Sequence, residues 1–220
     1  MTNRSQAQDN KIQRRLESGV QALIAAGQDF HRRGWSLATS SNYSILLASD
    51  PLQILMTASG KAKENLSWQD FVVVNESSQI ERAASPSIDK SSLRPSAETA
   101  LHLLLIKKWQ AEAVLHTHSI FATMLSQKHA AEGQITIQGF EILKALNGCH
   151  THECSITIPI FENNQNMAEL AIEIEEKRAQ ISHAFLLKGH GLYTWGQSFE
   201  EAKKHLEALE FLFELIYRLE

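Results

Sequence analysis

Apolar residues at Ile12, Leu16, Val20, Leu23, Ile24 and Phe30 recur near the period of a helix, and the pattern predicts an amphipathic helix from about Lys11 to Arg33, ended by Gly34. The pattern then shifts to short β-rich runs at 43–47, 53–56 and 71–75, separated by Ser, Asp, Pro and Gly. Residues 97–109 read as helix with Ser96 as N-cap. Residues 113–118 read as a strand, and Ser119 can cap the helix after it. A short helix is expected over 139–146, stopped by Asn147-Gly148. Residues 155–161 alternate like a strand, 166–180 read as helix, and 184–188 and 191–195 as strands. Ser198-Phe199-Glu200-Glu201 has capping-box spacing and opens a terminal helix to about Arg218, striped by Ala202, Leu206, Leu209, Phe213 and Ile216.

These elements predict an α/β fold: a central, mainly antiparallel sheet with helices packed on it. With no repeat, low-complexity tract or linker in view, residues 11–220 are expected to form a single domain after a flexible polar tail at 1–10. The chain has 220 residues, 43% of them hydrophobic, enough to bury a sizeable core. A formal net charge of −4 leaves no basic surplus to neutralise phosphates and argues against a nucleic-acid binder, although one pocket can still take a small phosphorylated substrate. No apolar run approaches the roughly 20 residues needed to span a bilayer, which argues against a membrane partner. Met1–Asn10 lacks a signal-like apolar segment. Two cysteines are too few for a disulfide framework, so a cytoplasmic protein is expected.

The candidate chemistry centres on His116-Thr117-His118 at the end of the apolar run Ala113-Val114-Leu115. In a strand, residues i and i+2 share a face, so the two imidazoles can grip one cation. His190, in Lys188-Gly189-His190-Gly191, can supply the third arm of an open, catalytic type of zinc site. Cys149-His150-Thr151-His152-Glu153-Cys154 is a rival cluster, but it follows a helix stop in a loop where nothing fixes side-chain direction. Ser59-Gly60-Lys61, Ser40-Ser41-Asn42 and the helix opening at Pro95-Ser96 are each weak candidates for an anion loop. Two acids, Glu98 and Glu141, can serve a metal-polarised carbonyl as proton carriers. His102, four residues after Glu98, reads as a supporting or packed residue; His31, His129, His183 and His205 carry no companion motif.

Arg94-Pro95-Ser96-Ala97-Glu98-Thr99, Ala113 to Ser119 and Lys188-Gly189-His190-Gly191 together resemble the class II aldolase/adducin-head superfamily in order and spacing. The segments Gln134–Leu146, Ile158–Asn163 and His190–Gly196 are most similar to its methylthioribulose-1-phosphate dehydratase branch. The resemblance implies a class II aldolase-like fold with helices on both faces of the sheet, and one Zn2+ per subunit on His116, His118 and His190. It also implies Glu141 as general acid/base, with Glu98 beside the metal as ligand or auxiliary. The phosphate of a ketose substrate would lie among Asn42, Ser59, Gly60 and Ser96, and the assembly would be a homotetramer. Ser41 departs from the glycine that relatives commonly place there. The same three histidines would also serve a sugar-phosphate aldolase or a ribulose-phosphate 4-epimerase. A non-catalytic adducin-like module has no physical reason to keep all five groups.

Overall fold

The structure is a computed structural model and describes residues 3–220. The chain divides into two compact units at Leu103/Leu104, where the sequence suggests one domain. In the first unit α1 (Asn3–Arg32) accompanies a four-stranded antiparallel meander, β1 (Asn42–Ser49), β2 (Leu52–Thr57), β3 (Phe71–Asn75) and β4 (Ile80–Ala83). The apolar stripe of α1 puts Leu16, Val20, Leu23 and Phe30 in the core. The helix begins well before Lys11. Residues of the expected tail are helical from Asn3 onward, and residues 1 and 2 of it lie outside the described residues. The stretch before Lys11 has no apolar stripe, so periodicity is silent there.

Helix α2 (Thr99–Trp109) carries the boundary between the units. It starts two residues later than the sequence suggests. Ser96 Oγ accepts from Glu98 N at 3.2 Å, and the Ser96 carbonyl accepts from Thr99 N at 3.2 Å and from Thr99 Oγ1 at 2.6 Å. Those bonds make residues 96–99 a turn, so Glu98 stands just ahead of the helix instead of in its first turn.

The second unit contains β5 (Ala113–Thr117), α3 (Ile120–Lys128), β6 (Gln134–Gln138), β7 (Ser155–Phe161), α4 (Met167–Glu176), β8 (Ala184–Leu187), β9 (Gly191–Gly196) and α5 (Phe199–Leu219). Its strands lie in the order β5-β9-β8-β7-β6, all antiparallel except β7 with β8. This is the mixed, mainly antiparallel sheet with flanking helices that the sequence predicts. Residues 141–145 form a 3-10 helix. The expected helix over 166–180 stops at Glu176 and gives way to a 3-10 turn at Arg178–Gln180. Ser198 caps α5 by accepting from Glu201 N at 3.1 Å, but the Glu201 carboxylate takes the N–H of Gln197, so the box closes one residue early. Among the described residues no helix is long and apolar enough to cross a membrane.

One glycine sets the geometry of the second unit. A Cβ on Gly191 would fall 2.0 Å from the Thr117 carbonyl oxygen and 3.3 Å from His118 Cα. The first residue of β9 can therefore approach β5 only without a side chain. Gly191→Ala is expected to push the strands apart and destabilise the fold by about 3 kcal/mol. A thermal or urea melt measures this; an unchanged midpoint would refute the tight-approach argument.

Candidate metal centre

The ligand nitrogens of His116, His118 and His190 all lie within 4.8 Å of one another, and they form the one such His/Cys/Asp/Glu group among the described residues. His116 ends up fully buried on β5, paired in register with Tyr193 on β9. His118 lies one residue beyond the strand, and His190 sits in the turn that feeds Gly191. The close β5–β9 approach thus brings residues 72 positions apart together. His118 and His190 are each partly exposed, so the group opens toward solvent.

Ring orientation is fixed from behind. His116 Nδ1 donates to the Leu192 carbonyl at 2.9 Å, which places the lone pair on Nε2. Asn163 Oδ1 lies 3.2 Å from His190 Nδ1 and favours the same tautomer. The Nε2 atoms of His116 and His118 are 2.8 Å apart. Tyr193 stacks on His116 at a centroid distance of 4.0 Å and on Phe185 at 4.9 Å, an aromatic column that holds the first ligand ring. Three imidazoles with their donor nitrogens converged and a solvent-facing side fit a borderline-soft divalent cation with an open coordination position. Sequence reasoning assigned no role to Asn163, Tyr193 or the Leu192 carbonyl. The segment around Asn163 was conspicuous, but its side-chain direction depends on the β7–β8 pairing.

Behind the strand, on the side away from the ligands, Thr117 Oγ1 donates to Glu210 Oε1 of α5 at 2.9 Å. Glu210 is buried, and its Oε2 has no hydrogen-bond partner. Burial pushes this carboxyl up to about 7, against the opposing pull of the Ser119 and Thr117 hydroxyls. No sequence signal marked Glu210, because α5 offers many glutamates and only packing selects the buried one.

Glu141 opens the 3-10 helix Glu141–Ala145 and is exposed. Its carboxylate is hydrogen-bonded to the Lys144 ammonium. That contact is the main cause holding the acid below its usual range, with smaller help from the charge of His152. Glu141 stands outside the converged histidine nitrogens. It is kept ionised, the form that accepts a proton.

In the first unit, the residues expected around phosphate are partly assembled. Asn42 Nδ2 donates to Glu98 Oε2 at 2.5 Å and to Ser96 Oγ at 3.2 Å. Asn42 Oδ1 accepts from His102 Nε2, and His102 Nδ1 accepts from Ser44 Oγ at 2.7 Å. Burial pushes His102 down to about 4, so the ring is neutral near pH 7 and this single orientation satisfies both nitrogens. His102 thereby fixes which way the Asn42 amide faces. Ser59 and Gly60 are exposed, with Gly60 at φ +74°. The Ser59 N–H is spent on the Arg94 carbonyl at 2.9 Å, which leaves its hydroxyl for a ligand. Ser41 adopts φ +70°, the left-handed conformation that favours glycine, so the serine keeps a glycine-like loop shape.

The rival loop is resolved differently from expectation. Cys149 and Cys154 form a disulfide, so their sulfurs are not metal ligands in this state. His150 and His152 are exposed.

The raised Glu210 carboxyl favours the folded state while it stays protonated. That contribution is complete below the unfolded value near 4.5 and is lost as pH rises through about 7. Glu210→Gln removes this dependence. The variant is expected to gain stability relative to the parent between pH 5 and pH 8, by roughly 3 kcal/mol. Urea melts of both proteins at the two pH values measure it; a pH-independent difference would refute the buried-acid assignment.

The family model for the class II aldolase and adducin N-terminal domain matches residues 21–217. The methylthioribulose-1-phosphate dehydratase of Marinobacter nauticus is 39% identical over 203 residues, covering 91% of this chain and 93% of its own. That of Alcanivorax borkumensis is 43% identical over 200 residues, covering 90% and 89%. Among solved structures, YgbL of Escherichia coli superposes with a TM-score of 0.74 at 25% identity, covering 93% of this chain and 91% of its own. The L-fuculose-1-phosphate aldolase of Thermus thermophilus gives 0.69 at 22% identity, covering 91% and 94%, and so shares the fold. The chain belongs to the class II aldolase and adducin N-terminal domain family.

Proposed function

We propose that this protein is a zinc-dependent methylthioribulose-1-phosphate dehydratase, a hydro-lyase of methionine salvage. Its product would be 5-methylthio-2,3-dioxopentyl phosphate. The observation that carries the reading is the open three-imidazole group, in a chain about 40% identical to dehydratases of that name over nearly its whole length. His116, His118 and His190 would hold one Zn2+ per chain. When bound there, the cation supplies Lewis-acid polarisation of a ketose carbonyl and its neighbouring hydroxyl.

The chain's own groups carry the protons and the phosphate. Glu141, ionised beside Lys144, accepts the C3 proton and returns a proton to the C4 hydroxyl as it departs as water. The enol left behind relaxes to the 2,3-diketone. Asn42, the Ser59 hydroxyl, Gly60 and Ser96 receive the phosphate. Glu98, bonded to Asn42, acts as an auxiliary acid or a metal ligand. The same reading extends to a cytoplasmic homotetramer, for which exposed apolar side chains such as Ile120 and Met124 on α3 and Phe211 on α5 are available to subunit contacts.

Purified protein is expected to carry about one zinc per chain, and His190→Ala to lose most of it by elemental analysis. Glu141→Gln should keep the zinc and lower turnover at least about a hundredfold. Full activity in that variant would overturn the acid/base role. Methylthioribulose 1-phosphate, fuculose 1-phosphate and ribulose 5-phosphate offered to the same preparation separate dehydration, aldol cleavage and epimerisation by product. Cleavage or epimerisation without dehydration would sink the dehydratase reading.

A further inference from the structure

Cys149 and Cys154 close a short covalent loop, five positions apart in sequence, next to the segment that carries Glu141, with a Cα–Cα distance of 5.6 Å. The loop is hydrogen-bonded to both flanks of the 3-10 helix Glu141–Ala145. The His152 carbonyl, inside the loop, accepts from Gly139 N at 3.0 Å, two residues before Glu141. Cys149 N, at its base, donates to the Leu146 carbonyl at 3.1 Å, immediately after the helix. Cys154 N donates to the Thr151 carbonyl at 3.2 Å, and Glu153 N to Thr151 Oγ1 at 3.2 Å, so the loop is tightened internally. His152, inside the loop, is also the smallest of the influences that lower the Glu141 carboxyl. Residues 150–153 are all solvent-facing.

We propose that the Cys149–Cys154 cystine is a redox-modification site that takes a dithiol as reductant, and that its oxidised form holds Glu141 in its working position. The inference rests on Glu141 as the acid/base group of the reading above. Cys149 is 5% exposed whereas Cys154 is partly exposed, so attack falls on the Cys154 sulfur. One thiolate of the reductant bonds to Cys154 Sγ, the S–S bond breaks, and Cys149 leaves as a thiolate that takes up a proton. The second thiol of the reductant then displaces Cys154, which is also protonated. Two electrons and two protons pass to the protein, and the reductant leaves as its cyclic disulfide. With the bond open, only hydrogen bonds in a solvent-exposed loop retain the His152 carbonyl against Gly139, and the conformational freedom of residues 149–154 rises.

The experiment compares zinc-loaded protein before and after anaerobic treatment with dithiothreitol, with metal content measured in each. The untreated protein should show no titratable thiol after denaturation and the treated protein two per chain, from the two cysteines of the sequence. Reduction is expected to speed hydrogen–deuterium exchange across residues 139–146 and to lower kcat about tenfold at constant zinc content, the scale expected for a misplaced catalytic group. The Cys149→Ser/Cys154→Ser double variant should match the reduced protein and show no response to dithiothreitol, which separates loop opening from metal stripping. Two free thiols in the untreated protein, or unchanged exchange and kcat after both thiols are released, would overturn the proposal. If the oxidised protein lacks dehydratase activity altogether, the functional reading fails on its own, and the exchange comparison still decides whether the cystine restrains the Glu141 segment.

Discussion

The second unit depends on the contact between Gly191 and the Thr117 carbonyl. At that point two antiparallel strands run closer than any side chain permits. His116 and His118 stand on one side of the crossing, and His190 directly precedes the glycine on the other. Convergence of the three imidazoles is therefore a property of backbone packing, and side-chain choice only places nitrogens where the strands already meet. The residues behind the site serve the same end. The Leu192 carbonyl and Asn163 set ring tautomers, Tyr193 and Phe185 form an apolar column against His116, and Thr117 is tied back to α5 through Glu210.

Polar burial is handled in two different ways. Glu210 is accommodated by losing its charge, since the Ser119 and Thr117 hydroxyls do not compensate a desolvated carboxylate. The Asn42 cluster of the first unit is accommodated by complete pairing. Ser44 donates to His102, His102 donates to Asn42, and Asn42 donates to Glu98 and Ser96, with the neutral imidazole passing hydrogen-bond direction along the chain. The Glu98 carboxylate is thus oriented through Asn42, whose own direction is set by His102 and Ser44 behind it.

Much of this was legible in the residue order. The strands at 71–75 and 155–161 appear with the boundaries the residue order suggests, and Ser119 caps the helix it precedes. The four-residue β4 was too short to show a period, and β6 alternates Ile with polar residues in a segment better known for its motif. Glu98 falls just ahead of α2 and not in its first turn, because Ser96 and Thr99 bond locally before the helix begins. The cystine was missed for a different reason. Cysteine count speaks to frameworks, whereas a single bridge depends on two Cα atoms arriving within reach.

The sequence by itself determined the local features: helix and strand periods, cap positions, the His-x-His pair, and the glycine after His190. Each follows from short-range sterics or side-chain chemistry and can be read from a few neighbouring residues. Tertiary structure alone decided which strand lies beside β5, which glutamate of α5 is buried, which tautomers the ligands adopt, and that Cys149 meets Cys154. Those outcomes depend on contacts between residues far apart in sequence, or on which groups are removed from water. No local pattern encodes either.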